Sequence, residues 1–144
     1  MIIETRRIIL TALKADSTLT AIVPAARIYG DDVPPSPEFP FVRWDAPSTI
    51  PFSLSGAAGS STTSFMLHAF ATARLSASKA KLETASDYAN RIISAVHGVV
   101  HRNRFSDDDG RIFKVTVASR MSMRDGAEAD AWHCLLNCVA RVLA

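Results

Sequence analysis

Hydrophobic residues recur at helical spacing in two parts of the chain. The first stripe lies near the N-terminus and is formed by Ile3, Ile9, Leu10 and Leu13. The second lies within "SASKAKLETASDYANRIISAVHG" and is formed by Leu82, Ala85, Ala89, Ile92, Ile93 and Val96. Ser76 or Ser78 can cap the second helix, and Gly98 can end it. We therefore expect an N-terminal helix and a central amphipathic helix, whose alanine-rich stripe allows close packing on a sheet.

Four other segments alternate apolar and polar residues, which is typical of strands. Two of them, residues 39–46 and 64–72, lie between the helices. The other two, "RIFKVTVASRMSM" and "AWHCLLNCVARVL", close the chain around Asp-Gly at 125–126, a strong hairpin signal. The order of elements predicts an α+β fold, in which a small antiparallel sheet of about four strands carries the two helices.

Two connections follow neither pattern. Residues 30–40 carry four prolines, which exclude a helix and a paired strand, so we expect an extended loop. Residues 53–64 consist of Ser, Gly, Ala and Thr with one Leu, a composition typical of a flexible loop. With 144 residues, the chain is expected to form a single domain, 1–144, that contains both loops.

Composition and charge argue against several classes of protein. No run approaches the roughly 20 apolar residues of a membrane span, and the N-terminus lacks the features of a signal peptide. The net charge of +2 is too small to indicate nucleic-acid binding. The chain has twelve arginines and four lysines. Either a role in protein interfaces or genomic base composition explains this excess of arginine. Cys134 and Cys138 would lie roughly 13 Å apart along a strand, too far for a disulfide, so we expect both to be small buried residues.

Candidate chemistry is sparse. The four histidines, His68, His97, His101 and His133, are scattered. His97 and His101 have the spacing of helical metal ligands, but they flank the expected helix end without an acid or cysteine nearby. The chain also lacks a phosphate-binding loop and a nucleophile elbow. We therefore expect no cofactor, no metal and no catalytic residue.

Several pieces together resemble a known family. The helix is followed by "LTAIV" and "RIYGDDVPPSPEFPFVRW", the strand "SFMLHAFAT" leads to the amphipathic helix, and "MSMRDGAEADAWHCLLNCVARV" closes the chain. In order and spacing they resemble the tail terminator, or tail completion, proteins of long-tailed phages, prophages and gene transfer particles. The resemblance spans nearly the whole chain. Residues 53–64 and 97–105 depart from it.

The resemblance implies a structural role. Such proteins are not enzymes and form a homohexameric ring on the head-proximal end of the tail tube. The ring ends tube growth and docks the head–tail connector or stopper protein, and DNA passes through its lumen without specific binding. The implied location is the head–tail junction of the virion, and the host cytoplasm during assembly. No membrane partner and no cofactor are implied.

A ring needs two different patches that contact each other around an axis. We hypothesise that residues 30–40 lie on an adjacent subunit or on the connector, and that residues 53–64 become ordered on the tube. The candidate interface residues are Arg6, Arg7, Arg27, Asp31, Asp32, Pro34, Pro35, Glu38, Arg43, Ser55, Gly56, Gly59 and Ser60. Pairing within one subunit would explain the same charges equally well.

Other functions remain as alternatives. The chain could be another neck ring protein, an adaptor or a stopper, although no long docking helix or plug loop is evident. It could also be a small enzyme that uses His68, His133 and an acid. A nucleic-acid binder built on the basic residues 101–104 is a further alternative. Trp44 and Trp132 could anchor a partner, although core packing is the default for a tryptophan in a strand.

Overall fold

A computed structural model describes residues 2–51, 61–125 and 130–142, with side chains described for 4–45, 62–125 and 130–142. The helices in these residues are α1 (Ile2–Ala15), α2 (Ser17–Thr20), a 3₁₀ turn (Ala25–Arg27) and α3 (Ala85–Val100). Both predicted helices are therefore present. The described residues contain no helix long and apolar enough to cross a membrane.

The strands form a curled sheet that is larger than predicted. They are β1 (Ile28–Tyr29), β2 (Phe41–Pro51), β3 (Ser61–Thr72), β4 (Arg74–Leu75), β5 (Lys81–Glu83), β6 (Arg104–Ser106), β7 (Ile112–Arg124) and β8 (Ala131–Val142). Six of them form one sheet in the order β1-β2-β3-β8-β7-β6, and β4 pairs with β5 in a separate ribbon. The α+β class is confirmed, but the expectation of about four strands is wrong, because two short edge strands extend the sheet.

Helix α3 forms the centre of the core. Its buried face consists of Ala89, Ile92, Ile93, Val96 and Val100, of which the helical stripe predicts all but Val100. This face packs against β3, β8 and β7, whose inward residues include Leu67 and Leu136. Helix α1 adds Ile9 and Leu13 to the same core. The helices thus cover one face of the sheet and leave the other face without a helix among the described residues.

The start of α3 differs from the prediction. Residues 74–83 form the β4–β5 ribbon, and the helix begins only at Ala85, where the Thr84 side chain accepts a hydrogen bond from the Asp87 backbone N–H at 3.1 Å. Leu82 therefore lies in a strand and is 55% exposed, although its spacing had placed it on the helical stripe. The helix also runs past Gly98 to Val100, so Gly98 does not end it.

The predicted loops and turns have mixed outcomes. Residues 107–110 form a turn in which Gly110 has φ +78°, a conformation that favours glycine. Residues 61–64 belong to β3, so the expected flexible loop 53–64 is wrong at its end, and residues 53–60 lie outside the described residues. In the last hairpin, the Asp125 N–H donates to the Ala131 carbonyl at 3.0 Å, and Gly126 lies outside the described residues.

Candidate functional site

The proline-rich connection, residues 30–40, is held to its own chain near both ends; we call it the arm. Near its start, Asp31 forms an ion pair with Arg6 of α1. Near its end, Arg27 donates to the Glu38 carboxylate at 2.6 Å and to the Phe39 carbonyl at 3.1 Å. These four predicted interface residues, Arg6, Arg27, Asp31 and Glu38, therefore pair within one subunit.

The middle of the arm projects from this anchored frame. Asp32, Pro34 and Pro35 are exposed, and no described residue forms an ion pair with Asp32. Gly30 explains how closely the arm starts against α1, since a Cβ there would lie 3.1 Å from the Leu10 side chain. The arm therefore combines fixed ends with an exposed acidic and proline-rich middle.

The other predicted interface residues lie in different surroundings. Arg7 donates to the Asp108 carboxylate at 2.8 Å and so ties α1 to the turn before β7. Arg43, on β2, places its guanidinium 5.6 Å from the centre of the Phe70 ring. Ser55, Gly56, Gly59 and Ser60 lie outside the described residues.

A row of stacked rings crosses the helix-free face of the sheet. Phe41 stacks on Phe70 with ring centres 4.6 Å apart, and Phe70 stacks on His133 at 4.2 Å. Tyr29 extends the row at one end, and His68 lies at the other, where its Nδ1 is 2.7 Å from His133 Nε2. The register of β2, β3 and β8 brings these residues side by side, which reading the strands separately could not show.

The histidine pair is neutral at ordinary pH. Burial, the neighbouring His133 and Arg43 lower the pKa of His68 to about 4, although Asp45 acts in the opposite direction. Burial also lowers the pKa of His133. His68 Nε2 is buried without a hydrogen-bond partner, so we assign the proton to Nδ1, which donates to His133 and avoids a buried unpaired N–H.

The structure brings together two of the groups required by the enzyme alternative, and it buries His68 while His133 is half-buried. His68 is only 4% exposed, so its imidazole does not reach a substrate from solvent. Asp45 and Asp125 act on the pair through charge, and each raises the pKa of the histidine nearer to it. The pair therefore packs on the sheet face as a part-buried polar contact within the aromatic row.

The remaining histidines and the cysteines have structural surroundings. His101 Nδ1 accepts a hydrogen bond from the Val117 backbone N–H at 3.1 Å, and its ring lies 4.5 Å from that of His97. Both cysteines are buried and free, and burial raises the pKa of Cys138 to about 12. Across the described part of the chain, no three histidine, cysteine or acidic residues cluster as metal ligands do.

A cavity of about 600 Å³ opens where the β4–β5 ribbon meets the start of α3 and the ends of β3, β7 and β8. Its wall includes Thr72, Leu75, Lys81, Arg124, Asp130 and Trp132. The Trp132 indole is oriented by its Nε1, which donates to Ser122 at 2.7 Å. Trp44, in contrast, is 2% exposed and stacks on Phe65 in the core. Of the two tryptophans considered as anchors, only Trp132 faces an opening.

The cavity carries an excess of positive charge. Lys81 and Arg124 line it, and neither forms an ion pair with a described residue. Asp130 is the acid in the wall, and it too has no such partner. Sequence patterns did not reveal this site, because its residues come from six elements that only the folded chain brings together.

A family model described as tail completion protein gp17 matches residues 7–143. The chain belongs to the tail completion protein gp17 family. As a tail completion protein, it is a structural component of a phage-like virion.

A solved structure has a fold similar to that of this chain. One of its chains, from the "Virion of native gene transfer agent (GTA) particle", is similar over 95% of this chain and 92% of that chain. The TM-score is 0.70 and the sequence identity is 20%, so the match shows a shared fold. No curated protein matches the chain.

Proposed function

We propose that this tail completion protein forms a ring at the head-proximal end of a tail tube. The ring ends growth of the tube and joins the tail to the head connector, and DNA passes through its lumen without specific binding. The family match over residues 7–143 carries this proposal. The similarity in fold to a chain of a gene transfer agent virion supports it.

The surfaces of the chain fit a role based on shape. The arm exposes an acid and prolines from a frame held at both ends, and a preorganised segment loses little conformational entropy when it binds. The cavity offers a second, different surface at another part of the molecule. A ring requires such a pair of unlike patches, because each copy contacts its two neighbours through different surfaces.

Deletion of the gene tests the proposal. Particles made without the protein are expected as unjoined heads and as tails of uncontrolled length, because nothing ends the tube or offers a docking surface. Electron microscopy of the lysate measures tail length and the fraction of joined particles, and the wild-type gene supplied in trans is the control. Tails of normal length that are joined to heads would overturn the proposal.

A second measurement separates this function from the neck alternatives. Cryo-electron microscopy of complete particles should show the protein as a ring directly on the last tube ring. Density on the portal side of the connector would instead identify an adaptor or a stopper. Density elsewhere in the particle would contradict a neck role altogether.

A further inference from the structure

We propose that, in the ring, the middle of the arm of one copy occupies the cavity of the next copy. This inference rests on the proposed ring and adds the contact that would close it. The occupant is a second copy of the chain, and the segment that docks is centred on Asp32 to Pro35.

Charge supports the pairing. In the described part of the chain, Asp32 has no ion-pair partner, and neither has Lys81 or Arg124 in the cavity wall. Insertion of the arm would place the acid beside two cations. Asp130 reduces the positive charge of the cavity without cancelling it. An unpaired acid on one patch and unpaired cations on the other are what complementary patches require.

Shape and apolar chemistry support it as well. The cavity presents the Trp132 ring and the Leu75 side chain, which is 51% exposed. Proline rings pack well on aromatic surfaces, and Pro34 and Pro35 are exposed on the arm. The cavity volume of about 600 Å³ accommodates a few side chains but not a folded element.

The positions of the two patches fit rotation about an axis. The arm leads into β2 at Phe41, which pairs with Phe70 of β3. Two residues later β3 ends at Thr72, which lines the cavity and pairs with Ala131 of β8. Arm and cavity therefore lie at the same end of the sheet, the arm beside β1 and β2 and the cavity toward β7. If the axis of the ring runs parallel to the strands, the arm and the cavity lie at the same level along that axis. Rotation about the axis can then bring the arm of one copy to the cavity of the next.

The anchoring of the arm favours docking between copies. Ion pairs with Arg6 and Arg27 hold both ends to the parent chain, so the exposed middle is presented outward in a fixed shape. A segment already ordered before binding costs less conformational entropy than a free loop. A ring of identical copies also supplies one arm for each cavity.

Cysteine cross-linking tests the contact directly. The double variant Asp32→Cys with Leu75→Cys should form a ladder of covalent multimers under mild oxidation, because each disulfide would join neighbouring copies. The native cysteines are buried, and burial raises their thiol pKa, so they should not react. The matched control is Asp32→Cys with Arg104→Cys, whose second site is exposed on β6, which pairs with the opposite end of β7.

Cross-linking is measured on rings of the purified chain or, if it stays monomeric, on complete particles. Covalent multimers from the first variant, and none from the control, support the contact. Rings or necks in which neither variant cross-links, or both do equally, overturn it while leaving the ring proposal intact. A cross-link from the cavity cysteine to a different virion protein also overturns it. Absence of the protein from the neck would instead refute the proposed function.

Charge reversal provides an independent test. Asp32→Lys alone and Lys81→Glu with Arg124→Glu should each reduce the fraction of chains in rings, and the combination should restore it. All three residues lie on the surface, so the melting temperature of the monomer should remain unchanged. Restoration distinguishes a direct contact from general damage. Full assembly of the partial variants, or failure of the combination to restore assembly, would overturn the inference.

Discussion

At the scale of single residues, His68 shows how the sheet tolerates a titratable group in its interior. The imidazole is 4% exposed and shares a 2.7 Å hydrogen bond with His133. Its low pKa follows from burial first, and from the neighbouring His133 and Arg43 next. The neutral form is therefore part of the packed aromatic row, and protonation would place a charge where water does not reach.

We expect this histidine to make the fold sensitive to mild acid. Unfolded chains take up the proton near pH 6.5, but the folded chain does so only near pH 4, so the unfolded state binds more protons between these values. Stability should therefore fall as pH drops through this window, by about 2 kcal/mol between about pH 7.5 and pH 5. Urea unfolding of wild type and of His68→Phe measures the effect.

The control is the slope of stability against pH. In His68→Phe the slope should be smaller than in wild type, because one buried titrating group is gone while the exposed carboxylates remain. Equal slopes in the two proteins would mean that His68 is already solvated or charged in the folded state.

At the scale of elements, the long strands were predictable and the short strands were not. Strands β2, β3, β7 and β8 have 11 to 13 residues each, which is long enough for alternation to be read. Strands β1 and β4 have two residues each and carry no period. Leu82 has helical spacing with Ala85 and Ala89, yet its neighbours pair in the ribbon. At this position the strand pairing, and not the helical spacing, determines the local structure.

The site was less predictable than the fold. Exposed prolines and acids marked the arm, but the sequence could not say that Arg6 and Arg27 pair with it inside the same chain. That pairing depends on where α1 and the 3₁₀ turn lie relative to the arm. The cavity was missed altogether, because the register of β7 and β8 pairs Arg124 with Trp132, and only the folded chain brings Lys81 of the separate ribbon to the same cavity.

The true start of α3 can be tested by two matched substitutions. Thr84→Ala should lower the free energy of unfolding by about 1 kcal/mol, because it removes the acceptor for the Asp87 backbone N–H. Ser78→Ala, at a position that the sequence pattern offered as the cap, should change it by less than about 0.5 kcal/mol. Chemical denaturation of both variants measures the difference. The opposite order of effects would place the start of the helix in the ribbon.

At the scale of the whole molecule, the order of pieces along the chain carried the family resemblance. The match to the tail completion family over residues 7–143 confirms it. The number of subunits in a ring is harder to predict from the sequence than the family. It depends on the angle between two patches, and no single residue encodes that angle. One chain can therefore show which surfaces are available without fixing how many copies meet.

We expect residues 1–144 to unfold as one domain. Helices α1, α2 and α3 and the central strands share one continuous core, so no part should melt independently. Calorimetry on dilute monomer should give one transition, with an enthalpy of roughly 100 kcal/mol near 60 °C and equal calorimetric and van't Hoff values. Two separate transitions would contradict the single-domain prediction.

The four long strands lie side by side and run in alternating directions. At about 3.3 Å per residue, each spans roughly 40 Å. A pull along the strands would load all the hydrogen bonds between neighbours at once, in shear, whereas a pull across them would open the bonds one after another. The molecule should thus resist tension far better along the strands than across them.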